Sequence, residues 1–375
     1  MVGIALPAPR LRQVLLLLLR WVAGPARGLE LHSSWRGSNI VGLCDVNETR
    51  ARSMDHFSWG SQEEAGFQDF EARYPFTRNA SNGLGFPGKF DWLVDKRRRL
   101  PPMDPRSVFI NTAHPGKVAA MLDQLEEGYN DSQQERVMYV SGDIMLSKAD
   151  RVLGAGTLTR MQRLFRKGIF WQAYNVPLDG FRVAPDGLNA RYMRPVWGVA
   201  QAAIDAAGIS AASKPNLGAL AAWGFRNTFL DDRVPARRKL REWVQTDAAR
   251  AAGIDHRCLE QADYWRELAT YRFLVSPRGG GIQSPKNDEA LLVYTVPITT
   301  REGFPGDHTV TEPTFPDLRR LGWPIVVLDE WSEITAERMD QWWTELSPRL
   351  PSFRANCLSA EGFWRIVTGA LDRCE

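Results

Sequence analysis

Between residues 107 and 189 the apolar positions alternate between short unbroken runs and helical spacings. Ser107–Asn111 (Ser-Val-Phe-Ile-Asn) predicts a buried strand. Residues 117–127 carry Val118, Met121, Leu122 and Leu125 at i, i+3, i+4 and i+7, which predicts a helix. Residues 136–140 predict a second strand that ends in Ser141-Gly-Asp143. A helix over 159–167 then leads into a third strand, Gly168-Ile-Phe-Trp-Gln-Ala-Tyr-Asn175, that runs out into a loop. Residues 181–184 predict a fourth, followed by Pro185-Asp-Gly-Leu-Asn189. Alternation of this kind predicts a parallel sheet covered by helices. Residues just past the strand ends then face the crevice where such sheets bind ligands. Asp143, Asn175, Asp186 and Asn189 are cleft candidates on that ground, with plain turn-forming and capping as the competing reading.

The chain turns polar around residues 210–216 and the pattern restarts. A strand is expected over 217–225, a helix over 233–246 bearing Arg237, Arg238 and Arg241, and a helix over 264–270. The strand Tyr271–Val275, a glycine-rich loop, a helix, and strands over 296–299 and 324–328 follow. Residues 28–104 show weak periodicity and read as an irregular elaboration, with Lys96-Arg-Arg-Arg99 a solvated face. The expected division is 1–27, 28–210, 211–335 and 336–375. The fold class expected is α/β, with two Rossmann-like domains facing across a cleft. In the last segment Thr335 is placed to cap a helix over 336–346, and its Trp342 and Trp343 fit packing better than sugar binding.

Composition narrows the function classes. A length of 375 residues suits two domains. A net charge of +3 on such a chain gives no basis for a nucleic-acid partner. The four cysteines (Cys44, Cys258, Cys357, Cys374) have no metal spacing, and no disulfide framework can be read from them. No HExxH or His-rich spacing is present, so no tightly bound metal or cofactor is expected. Near the N-terminus, basic residues precede the apolar run Val14-Leu-Leu-Leu-Leu-Leu19, which Arg20 interrupts. The run resembles a signal peptide and is short for a spanning helix, which needs ~20 apolar residues; an ordinary N-terminal helix is the alternative. Sequons stand at Asn47, Asn79 and Asn130. A Golgi or secretory-pathway location, with membrane association through the N-terminus, is the corresponding expectation, and the cytoplasm its alternative.

The chemistry is concentrated in Tyr271-Arg-Phe-Leu-Val-Ser-Pro-Arg-Gly-Gly-Gly-Ile-Gln-Ser-Pro-Lys-Asn-Asp-Glu289. Gly279, Gly280 and Gly281 let backbone approach a ligand closely. Ser284 is placed to cap the next helix and Pro285 to open it, so the helix N-terminus faces the glycine loop and favours phosphate. Arg278 and Lys286 add positive charge, and Glu289 can accept hydrogen bonds from a ribose. Ser276 and Gln283 flank the loop. A plain strand-to-helix turn is the competing reading, since neither GxGxxG nor GxxxxGK[ST] is present.

The same segment resembles the donor-site block of exostosin-like glycosyltransferases, family 47 and its relatives. The match runs through Phe273, Ser276-Pro277, Gly279, Gly281, Glu289-Ala290-Leu291 and Pro297-Ile298. Lys286 stands where Arg is usual, and Thr295 where Gly is frequent. Phe170 to Asn175 with Pro185 to Leu188, the stretch 222–238, and Tyr264 to Ala269 resemble further blocks of the family. The resemblance implies a GT-B fold without an obligatory metal. It puts the acceptor on 28–210 and the donor on 211–335, with Arg237 or Arg238 reaching donor phosphates and 336–375 crossing back to the first domain. It implies a hexosyl- or pentosyltransferase that takes a UDP- or GDP-sugar and a glycan or glycoprotein acceptor. Asp143 is the candidate base, against the reading of a structural Asp that caps a helix. The alternatives are a fucosyltransferase-like enzyme, a sugar-nucleotide epimerase, or a degenerate, non-catalytic glycan-binding relative.

Overall fold

The computed structural model describes residues 40–41, 61–78, 85–94, 104–113, 115–128, 135–209, 214–223, 235–278, 281–301 and 313–374. All belong to one compact unit made of Ile40–Cys44 and Trp59–Glu375. The apolar run 14–19, the three sequon asparagines, the basic stretch 96–99, and Gly279 and Gly280 lie outside the described residues.

The chain is an α/β protein built on two parallel five-stranded sheets. The first holds β1 (Trp92–Val94), β2 (Ser107–Asn111), β3 (Val137–Ser141), β4 (Gly168–Trp171) and β5 (Phe181–Val183), paired in chain order. Its inner strands read as continuous apolar runs because both faces are covered: all five residues of β3 and all four of β4 are buried. The helix Pro115–Gly128 between β2 and β3 buries Val118, Met121, Leu122 and Leu125, the stripe its spacing predicts.

The second sheet holds β6 (Asn216–Ala221), β7 (Ile254–His256), β8 (Tyr271–Val275), β9 (Val296–Thr300) and β10 (Val326–Leu328), in the order β7-β6-β8-β9-β10. Two residues that look wrong for strands are accommodated by pairing. A Cβ on Gly218 would lie 2.0 Å from the Gly253 carbonyl oxygen, so the approach of the turn before β7 to β6 requires glycine. Pro297 in the inner strand β9 pairs with Leu274 of β8, and pairing with β10 begins only at Ile298. The missing N–H therefore falls near the start of the strand, where proline is tolerated.

The stretch 28–104 is more regular than its periodicity suggests. It contains a helix (Ser61–Arg73), the edge strand β1 and the short strand Phe76–Arg78, which pairs in parallel with Leu188–Asn189. The helix over 159–167 runs instead over Thr157–Leu164, with a five-residue helix, Ala149–Leu153, before it. The 13-residue helix Trp197–Ile209 precedes the second sheet.

The last helices serve both sheets. Trp342 and Trp343 of Ala336–Leu346 meet Phe273 of β8 edge-on at 6.4 and 5.9 Å. In Ala360–Val367, Phe363 packs on Phe86 and Trp364 on Phe90, beneath the Phe109–Tyr139 stack of β2 and β3. Cys357 and Cys374 form a disulfide that ties the ends of this region together, and Cys258 is also disulfide-bonded.

Candidate functional site

The helix Pro285–Leu292 starts shortly after the C-terminal end of β8, with Ser284 as its N-cap and Pro285 as its first residue. The Ser284 hydroxyl accepts a long hydrogen bond from the Lys286 N–H, 3.4 Å. From the first turn the partly buried Lys286 lays its ammonium 4.0 Å from the centre of the Tyr264 ring. Glu289, one turn on, is 6% exposed. Burial pulls the Lys286 pKa down to about 8, helped by Arg237 and opposed by Glu289. Burial pushes the Glu289 carboxyl up, against the pull of Lys286 and the Tyr264 hydroxyl. The arrangement is a cation and a carboxyl held side by side at a helix N-terminus, beyond a parallel sheet's C-terminal edge. A helix N-terminus in such a position presents free N–H groups and a dipole that favour an anion.

A second group comes from the first half of the chain. Arg78, the last residue of Phe76–Arg78, donates from Nε and Nη2 to Asp186 Oδ1 at 3.0 and 2.9 Å. From Nη1 it donates to Asp143 Oδ1 at 2.9 Å. Burial would lower the Arg78 pKa, but the two carboxylates outweigh it and raise it. Asp186 is raised by burial against the pull of Arg78. The strand that carries Arg78 is fixed by its neighbours. The Thr77 hydroxyl donates to the Asp186 carbonyl, and the Ser141 hydroxyl donates to the Thr77 carbonyl at 3.1 Å. Gly187, at φ +67°, passes so close to Pro75 that a Cβ would lie 2.3 Å from its carbonyl oxygen.

The two groups meet. A Cβ on Gly281 would lie 2.9 Å from Asp143 Oδ1 and 3.8 Å from Arg78 Nη2. Gln283 donates to the carbonyls of Gln172 and Ala184 at 2.8 and 2.7 Å and accepts from the Asp186 N–H at 3.0 Å. Asp288 accepts from the Gly187 N–H at 2.8 Å and from Trp323 Nε1 at 3.1 Å, and burial pushes its pKa up to about 7. Tyr192, its hydroxyl raised by burial, feels the charges of Arg78, Asp143 and Glu289 together.

These positions revise several expectations. Gln283, expected at the donor, has its amide spent on the backbone of the first half. Asp186 is buried behind Arg78 and does not face outward. Asn175 is tied to Ser147 through both amide atoms, at 3.0 and 2.8 Å, and the Asn189 side chain caps Ala190–Met193. Arg237 is buried and close enough to Lys286 to depress its pKa, whereas Arg238 is exposed on the same helix, Pro235–Trp243. Arg278 is 2% exposed, and the buried Ser276 hydroxyl has no hydrogen-bond partner among the described residues. Thr295, where the family frequently has Gly, is buried with its hydroxyl within hydrogen-bonding distance of the Leu268 and Tyr271 carbonyls, and the residue before it, Tyr294, is left-handed (φ 57°). Sequence reasoning missed Arg78, Asp288, Tyr192 and the Tyr264 ring as cation partner.

No protein-family model matches the chain, and no curated protein matches it. Among the described residues, no group of three or more His, Cys, Asp or Glu could hold a metal ion, and no helix is long and apolar enough to cross a membrane.

Proposed function

We propose that the chain is a glycosyltransferase that moves a hexosyl or pentosyl group from a nucleoside-diphosphate sugar to a hydroxyl of a glycan or glycoprotein. The observation that carries this reading is the pairing of Lys286 and Glu289 at the start of Pro285–Leu292, with Arg237 beside them. The cations suit a departing diphosphate, whose developing charge is what such an enzyme must stabilise. The carboxyl suits the ribose diol. In this reading the two sheets form two Rossmann-like domains of the GT-B kind, 28–210 and 211–335, which face each other across the region of Gly281 and Arg78. Asp143, which is 60% exposed, is the group placed to help an acceptor hydroxyl. A disulfide between Cys357 and Cys374 suits an oxidising compartment, which supports a secretory-pathway location over a cytoplasmic one.

The test is a panel of UDP-, GDP- and CMP-sugars, scored for donor hydrolysis and for binding by calorimetry. Glu289→Ala is expected to weaken nucleoside and nucleoside diphosphate alike by roughly tenfold to a hundredfold, the equivalent of a lost charged hydrogen bond. Lys286→Met is expected to weaken the diphosphate far more than the nucleoside. A parent chain with no nucleotide affinity, or variants that keep parental melting temperature and parental affinity, would remove the reading.

A further inference from the structure

We propose that Arg78 is an anion-binding residue, and that the Asp143 carboxylate occupies the position that an anionic group of the ligand takes in exchange. The ligand's identity, a nucleoside diphosphate, rests on the function proposed above; the exchange rests on the geometry.

Arg78 is held by two unequal arms. The arm to Asp186 is made by Nε and Nη2 to a carboxylate that is 1% exposed. The arm to Asp143 is a single bond from Nη1 to a side chain that is 60% exposed. Breaking a buried pair is costly because it leaves an uncompensated charge, whereas an exposed pair holds weakly. Asp186 therefore fixes the guanidinium, and Asp143 is the exchangeable partner. Asp186 Oδ2 is buried with no hydrogen-bond partner among the described residues, so among them the hydrogen bonds of this carboxylate all go to Arg78, through Oδ1.

The place that Asp143 occupies is shaped for an anion. Its Oδ1 lies between the outer edge of the guanidinium and the backbone of Gly281, at the end of the glycine loop. A phosphate there could take two parallel N–H bonds from the Nη1–Nη2 edge, a stronger contact than the single bond to Asp143. Absence of a side chain at Gly281 keeps this approach open. Arg78 would thus bring a charge from the first half of the chain to the loop that the second half supplies. The displaced Asp143 is left on the exposed side, where an acceptor arrives.

The exchange predicts an affinity that rises when a carboxylate is neutralised. UDP, GDP and inorganic pyrophosphate, with uridine and guanosine as controls, would be titrated into the parent, Asp143→Asn, Arg78→Gln and the double variant. Asp143→Asn should bind the diphosphates about two- to fivefold more tightly, the equivalent of an exposed ion pair, and the nucleosides unchanged. Arg78→Gln should bind them more than about tenfold more weakly, and the gain from Asp143→Asn should vanish in the double variant. Asp143→Asn leaves the buried arm intact, so it reads the exchange even where Arg78→Gln fails to fold. Diphosphate binding in the parent that Asp143→Asn does not tighten would overturn the exchange and leave the donor reading standing. The full pattern with pyrophosphate alone, and no affinity for either nucleoside diphosphate, would sustain the anion site and sink the donor reading. A parent that binds none of the three would sink both.

Discussion

Tyr294 adopts φ 57°, a left-handed conformation that costs a side-chain-bearing residue about 1–2 kcal/mol. Helices commonly end on such a residue, usually glycine. Tyrosine is kept there by what its ring does: it is 5% exposed and lies 4.1 Å from the Arg354 guanidinium. Arg354 in turn donates to the carbonyls of Ile204 and Leu292, 3.0 Å each. Removing a buried aromatic costs about 3–5 kcal/mol, which exceeds the relief of backbone strain. Tyr294→Gly is therefore expected to destabilise the chain by roughly 2 kcal/mol, as the difference of those two magnitudes. Denaturant unfolding measures it, and a stabilised variant would show that the ring contributes little.

At the scale of elements, the helix Pro285–Leu292 has two jobs. Its first turn carries Lys286 beside the Tyr264 ring, and Gln283 and Asp288 pin it to the loop 184–187 of the first half. Gln283→Ala would leave two carbonyls and one N–H without partners at a buried junction. At about 0.5–1.5 kcal/mol for each hydrogen bond, a loss of roughly 2–4 kcal/mol is expected in thermal or chemical unfolding. A loss below about 0.5 kcal/mol would mean that the two halves are held together elsewhere. Which elements were legible in the sequence follows from length and contrast. The inner strands β2, β3, β4 and β8 announce themselves as apolar runs. All four edge strands have three residues, and β5 and β10 could still be read from their apolar residues, whereas β7 (Ile-Asp-His) has one apolar residue and β1 (Trp-Leu-Val) stands within a stretch of weak periodicity. Trp197–Ile209 is alanine-rich with only one charged residue, so it lacks the polar face that marks a surface helix. In the same way Lys286 and Glu289 could be read from one contiguous segment. Arg78 could not, because its role depends on a bond to Asp186, 108 positions away.

For the whole molecule, buried ionisable groups set a pH profile with two limbs. The folded chain holds the Asp288 proton up to about pH 7, whereas the unfolded chain releases it near 3.8. The folded state binds more protons across that interval, so this group's contribution falls as pH rises through it. Lys214 acts in the opposite window. Its ammonium donates to the carbonyls of Ala269 and Val293, both at 2.6 Å, and to the Thr295 hydroxyl at 3.2 Å, and burial pulls its pKa from 10.5 to about 7. Between those values the unfolded chain binds more protons, so stability rises with pH. Melting temperature is expected to dip near neutrality. Asp288→Asn should flatten the acid limb and Lys214→Met the alkaline one. A parent profile that rises steadily from pH 5 to 8 would contradict the assignment of Asp288.

The seating of Ala360–Val367 on the first sheet bears on how the chain is made. A ribosome delivers β1 to β5 well before the residues that cover Phe86 and Phe90. Until Ala360–Val367 has been made that aromatic face has no native cover, and exposed apolar surface of this kind is where nascent chains aggregate. Deleting Ala360–Val367 would leave that aromatic layer permanently open. Cys357 and Cys374 flank this helix, so the bridge between them can close only after the cover of the first sheet has been made.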